Sequence, residues 1–199
     1  MPLSHYRVLD LTDDRGQMAG FLLAQMGADV IAVEPPGGQR ARHLGPWAGE
    51  EPDPERSLQH WAYNRGKRSV VIDTEADPDR LLALAATADV IIECGAQPLD
   101  LAALRAANPA LVTCSLSPYG GDGPKADWLG NDLVLNAASG EMSLNGYKDR
   151  APVRVSAPQV WINTGAEAAC AVLFALTARR GGGPGQHIDV SAQIGRAHV

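Results

Sequence analysis

The side chains in this sequence best suited to chemistry are a basic group and a glycine-containing turn. Arg65, Lys67 and Arg68 fall within a four-residue window, and Arg40 and Arg42 lie in the loop upstream. An Arg fork matches a phosphate in shape and charge, so this group is suited to an anionic ligand; its other reading is a solvated charged face. Ser115, Ser117 and Tyr119-Gly120-Gly121 follow an apolar run that reads as a strand. Backbone N–H groups in such a turn can stabilise a developing oxyanion, although the same residues also make an ordinary turn.

Other chemistries find no support. The turn after the first apolar run, Asp10 to Gln17, has no G-x-G-x-x-G and places two acids where a pyrophosphate would sit. A dinucleotide-binding site is not expected there. Gly181-Gly182-Gly183-Pro184-Gly185 follows a helical stretch and precedes a strand-like one, the reverse of a phosphate loop, so it reads as a connection. His5, His43, His60, His187 and His198 lack motif context. Cys94, Cys114 and Cys170 are too scattered for a disulfide framework or a zinc site, and no metal is expected.

The elements that would position these groups alternate. Strands are expected at Tyr6–Leu11, Asp29–Val33, Arg68–Asp73, Asp89–Glu93, Leu111–Leu116 and His187–Val190. Helices are expected at Gly16–Met26, from Asp77-Pro78 to about Ala88, at Leu99–Ala107, and at Val160–Leu176, which is apolar nearly all round. Gly37–Pro54 reads as a long loop. Near-continuous apolar strands alternating with helices predict an α/β fold, a Rossmann-like open parallel sheet with helices on both faces. Ligands of such sheets bind at the carboxyl ends of the strands.

Composition sets outer limits. The chain has 199 residues, 45% of them hydrophobic, and a net charge of −6, which suits one domain with a sizeable core and disfavours a nucleic-acid partner. No run of the sequence reads as a membrane span of about 20 apolar residues. The start lacks the basic and apolar regions of a signal peptide, so a cytoplasmic protein is expected.

Several segments together resemble the family III CoA-transferases, the group that includes carnitine and bile-acid CoA-transferases and α-methylacyl-CoA racemases. They are VLDLT from Val8, QMGADVIAVEPPGG from Gln25, NRGKRSVVID from Asn64 and ADVIIE from Ala88. NPALVTCSLSPYGGDGP from Asn108, GNDLVLNAASGEMSLNG from Gly130 and GPGQHIDVS from Gly183 continue the match in order. The resemblance implies movement of CoA between an acyl-CoA thioester and a small carboxylic acid. In that chemistry an Asp carboxylate attacks the thioester and passes through anhydride and aspartyl-CoA intermediates. CoA would be a substrate, with no tightly bound cofactor. The implied assembly is an interlocked homodimer or a fused pseudo-dimer.

The resemblance places CoA contacts at Arg15, Arg42, Lys67 and Arg68, at the strand-end residues Ile72 and Thr74, and in the glycine turn at Gly120 and Gly121. It also exposes departures. The family's nucleophilic Asp follows a P-V-R-V-x-x-P stretch, here Pro152 to Pro158, and the matching position is Trp161. Where the racemase branch has a His before Asp, this chain has Asn131-Asp132, leaving Asp132 as a weak catalytic candidate. The E-N-F turn of the family is Glu93-Cys94-Gly95, Glu75 stands where some members carry Lys, and Glu167 is too far along its helix to replace the Asp.

Family members run to about twice this length, so residues 1–193 are expected to be the N-terminal part of the large domain, without the small domain. Ile194 to Val199, IGRAHV, matches a translated frame of a common sequencing adapter and is expected to be a non-native tail. The expected function is that of a CoA-transferase-like fragment. The alternatives are a non-catalytic or acyl-CoA-binding half of a fused or heteromeric enzyme, and an acyl-CoA isomerase or lyase.

Overall fold

The computed structural model describes residues 1–95 and 99–193; the expected tail at 194–199 lies outside them. Six strands form one sheet: β1 (Arg7–Leu11), β2 (Asp29–Glu34), β3 (Arg68–Val71), β4 (Val90–Glu93), β5 (Val112–Ser117) and β6 (His187–Ser191). The spatial order is β3-β2-β1-β4-β5-β6 and every pairing is parallel. The strand order reverses between β1 and β4, which opens a crevice at their carboxyl ends.

Successive strand residues point to opposite faces, and both faces are buried. Val8, Val30, Val90, Ile92, Val112 and Cys114 pack with Leu23 of α1 (Gln17–Gln25) and with Ala168, Val172 and Leu176 of α6 (Gln159–Arg180). Leu9, Leu11, Ile31, Val33 and Ile91 face the other way, onto Leu81 and Ala85 of α3 (Pro78–Ala85), with α4 (Leu101–Ala107) contributing Leu104. Asp77 and Asp100 accept backbone N–H groups at the starts of α3 and α4, the usual service of an N-cap carboxylate.

Two further helices were not expected: α2 (Leu58–Asn64) and α5 (Asp132–Ala138). Ser57 and Asn131 cap them, accepting from His60 N–H and Val134 N–H. The expected loop from Gly37 to Pro54 also contains a short 3-10 helix at Arg40–His43.

Helix α6 corrects one expectation. Its 22 residues have a mean hydropathy of 1.4 over their most apolar window, long and apolar enough to cross a membrane. Half of that window is buried against α1, β5 and β6, while Glu167, Cys170 and Phe174 are exposed. That is the packing of a core helix with one open face, rather than one buried all round. Gly165 permits the approach to α1: a Cβ there would lie 2.8 Å from Met18 Cβ and 3.0 Å from Ala19 N.

Candidate functional site

The crevice between β1 and β4 is filled by the protein's own charges. Asp13, just past β1, accepts hydrogen bonds from Arg15 N, Nε and Nη2 at 2.8, 2.9 and 2.8 Å. Arg15 Nη2 also reaches the carbonyl of Cys94 beyond β4 at 3.3 Å. Burial works to raise the Asp13 carboxyl, but the Arg15 bonds outweigh it and hold it below the usual carboxylate range. Burial and the nearby Asp13 charge push the Cys94 thiol up to about 12, so it is an inert packing group rather than a nucleophile.

The turn Thr12–Arg15 instead borders three cavities, one residue or pair to each. Thr12 and Asp13 face a cavity of about 360 Å³ at the ends of β1, β2 and β3, closed by Pro35, Arg40 and Thr74. Asp14 faces one of about 320 Å³ between the start of α1, α2 and the start of α6, with Trp161 in its wall. Arg15 faces one of about 390 Å³ over the ends of β4 and β5, beside Trp128 and Asp189. The first lies at the open strand ends, where α/β sheets bind ligands, and carries the acids Asp13, Asp73 and Glu75 beside Arg40.

The structure separates the basic residues that the sequence grouped together. Lys67 turns inward: its ammonium contacts Asp10 Oδ2 at 2.7 Å, Asn64 Oδ1 at 2.8 Å and the Gln17 carbonyl at 2.9 Å, and both Lys67 and Asp10 side chains are 2% exposed. Arg68 opens β3, at the amino ends of the strands and away from the cavities at their carboxyl ends, and pairs with Asp29 at 2.7 Å. Arg65 lies over Phe21. The expected phosphate-holding cluster is therefore not assembled, because residues adjacent along a turn-to-strand junction point to different sides.

Arg42 is held by Glu34 at 2.6 Å and by Glu55 at 3.1 Å. Ile72 is buried and its N–H is given to Glu34 O. Thr74 does line the strand-end cavity. In the glycine turn, Gly120 N–H is given to Ser117 Oγ at 2.9 Å and Gly121 N–H to the Asp189 carboxylate at 2.7 Å. Both donors expected to serve an oxyanion are thus internally paired, the second by an anion that competes for the same place.

Position 161 carries no nucleophile. The Trp161 indole is 7% exposed, packs with Leu135, Val160 and Ala192, and has the Arg15 guanidinium carbon 5.9 Å from its ring centre. Asp132 lies beside it but is committed elsewhere. Its Oδ1 accepts the Val160 N–H at 3.0 Å, and its Oδ2 accepts from Asn136 at 3.0 Å and pairs with Arg154 at 3.5 Å. It caps α6 from outside, where Pro158 offers no side-chain cap. Glu167 faces solvent.

Comparison with known proteins is decisive at this point. The family model "CoA-transferase family III" matches residues 3–197. The chain belongs to CoA-transferase family III. It is 36% identical over 94% of its length to the succinyl-CoA:(R)-benzylsuccinate CoA-transferase subunit BbsE of Thauera aromatica. It is 40% identical over 96% of its length to succinate–glutarate CoA-transferase of Agrobacterium fabrum. These matches cover 48% and 50% of the relatives, so this family III chain spans about half the length of the curated relatives it matches. A CAIB/BAIF family crystal structure from Brucella suis superposes with a TM-score of 0.91 at 35% identity, covering all of this chain and 55% of that one. The fold read from the sequence, an open parallel Rossmann-like sheet, is the family's.

The residues that sequence reading missed are Asp14, Gln17, Leu58 and Tyr63, which line the cavity beside Trp161. Ser57 was the available signal, since a Ser before a mixed polar and aromatic run marks a helix start.

One electrostatic cluster makes a testable prediction. Burial alone would raise the Glu34 carboxyl, yet hydrogen bonds from Arg42, Ser69 and Gln39 N–H bring it down to about 2. A carboxyl depressed on folding contributes its stability above its ordinary value of 4.5 and loses it as pH falls toward the folded value. Urea unfolding is expected to show a loss on the order of 2 to 3 kcal/mol from this group between those limits. Glu34→Gln should flatten that limb; an unchanged acid limb would assign it to other carboxyls.

Proposed function

We propose that this chain is the acyl-CoA-binding, non-nucleophilic half of a family III CoA-transferase that works with a second, Asp-bearing unit. The observation that carries this reading is the buried indole at position 161. Covalent CoA transfer needs a carboxylate that attacks the thioester carbon, expels the CoA thiolate and holds the acyl group as an anhydride. The indole nitrogen lone pair belongs to the aromatic system and forms no such bond. Asp132 is bound on both oxygens and Glu167 faces away, so neither supplies a substitute.

Two further observations support binding and assembly. The strand-end cavity has Pro35, Arg40 and Thr74 in its wall together with the acids Asp13, Asp73 and Glu75, so it suits the adenosine of CoA rather than its phosphates. Trp128, Leu129, Leu144, Tyr147 and Val153, all within one stretch of the chain, are each at least half exposed. That region suits contact with the rest of the enzyme. The name of the T. aromatica relative, a subunit, supports a heteromeric arrangement.

Titration calorimetry is expected to show saturable CoA binding by the chain. Intact mass after separate incubations with succinyl-CoA and hexanoyl-CoA is expected to remain 21.0 kDa, with no acyl or CoA adduct. An adduct on any carboxylate would overturn the non-nucleophilic reading, and absence of CoA binding would overturn the binding one.

A further inference from the structure

The cavity beside Trp161 has a composition that constrains what can enter it. Met18, Leu58, Tyr63, Ile162 and the indole itself make most of its wall, and Asp14, Gln17 and Gln59 supply its polar groups. Among the described residues no Lys, Arg or His lines it. The cations next to its lining residues are engaged: Arg15 is held on Asp13, Lys67 on Asp10, and Arg40 lies 3.5 Å from Asp14 Oδ1 while facing the strand-end cavity.

Resting on the function proposed above, we infer that this cavity receives the acyl group of the thioester and selects an apolar monocarboxylic acyl chain over one that ends in a second carboxylate. Asp14 is the specificity-determining residue. Asp14 lines this cavity and its neighbour Asp13 lines the strand-end cavity, so the two lie on either side of one turn, and a CoA bound at the strand ends would have its acyl end within reach of this one. Gln17 Oε1 accepts from Asn64 at 3.0 Å, which leaves the Gln17 NH₂ as a donor suited to an uncharged carbonyl. A distal carboxylate would leave water without gaining a cation.

It would also meet the charge of Asp14, whose side chain is only 15% exposed. Two like charges about 6 Å apart at an effective dielectric near 20 disfavour binding by about a hundredfold, and the Arg40 partner reduces this to about tenfold or more. Burial and Asp13 raise the Asp14 carboxyl above its ordinary value, in keeping with a group that lacks full charge compensation. The relatives named for succinate and glutarate act on dicarboxylates, so this chain's cavity would take a different class of acid.

Calorimetric titration of the 199-residue chain with CoA, hexanoyl-CoA and succinyl-CoA tests the inference. Hexanoyl-CoA is expected to bind at least tenfold more tightly than CoA, because its chain leaves water for an apolar wall. Succinyl-CoA should bind no more tightly than CoA, and Asp14→Asn should narrow the gap between the two thioesters about tenfold. Equal affinity for all three ligands, or tighter binding of succinyl-CoA, overturns the inference while leaving the proposed function intact. Free hexanoate and succinate, followed by indole fluorescence with Trp161→Phe as the reference, separate the two failures. A chain that binds no CoA but is quenched by hexanoate and not by succinate loses the proposed function and keeps the selectivity. Quenching by succinate, or by neither acid, removes the selectivity as well.

Discussion

Replacing Lys67 by Met is expected to destabilise the protein by about 3 to 5 kcal/mol, the usual result of leaving a buried charge without its partner. All three ammonium protons have acceptors: Asp10, Asn64 and the Gln17 carbonyl. Asp10 in turn accepts from the Thr12 N–H at 3.0 Å and hydroxyl at 2.6 Å, so the network ties β1 to the turn that borders the three cavities described above. Gly20 closes the space over it, since a Cβ there would fall 2.1 Å from Asp10 Oδ2. Removing the ammonium leaves a buried carboxylate without its counter-charge. The double variant Asp10→Asn/Lys67→Met should recover a large part of the loss, because both charges then disappear together. Urea unfolding checks both, and a Lys67→Met protein as stable as the parent would refute the structural role.

Trp161→Ala is expected to cost about 3 kcal/mol or somewhat more, the low end of the range for deleting a large aromatic side chain. The indole covers Leu135, Val160 and Ala192, but it also borders an open cavity, so water can fill part of the space it leaves. The substitution removes the Arg15 contact over the ring as well. Thermal or urea unfolding measures the loss. A change of less than about 1 kcal/mol would mean that the indole is a loosely held lid rather than a structural wall.

Much of the fold can be read in the sequence because its signals are local. Continuous apolar runs such as Asp89–Glu93 mark strands buried on both faces, and Asp77-Pro78 marks a helix start whatever lies around it. The helix α2 was not legible for the converse reason. None of its residues is buried, so it carries no apolar periodicity, and it follows closely on a stretch rich in Gly, Pro and charge. Helix α5 buries only Leu135 and Asn136, too little for a pattern. The candidate site was harder still. Asp14 shows nothing by itself; its meaning comes from Trp161 and Leu58, which the fold brings to the same cavity.

The sequence by itself determined the parallel α/β architecture and the family resemblance, and it supplied the Trp161 on which the proposed function rests. These depend on residue type, order and spacing along the chain. Only the tertiary structure decided what the charged and donor groups do. Lys67 meets Asp10 across 57 positions, Gly121 meets Asp189 across 68, and Arg15 reaches the Cys94 carbonyl across 79. A charge or an N–H is free to bind a ligand only if no internal partner has claimed it, and that partner is chosen by packing between distant segments.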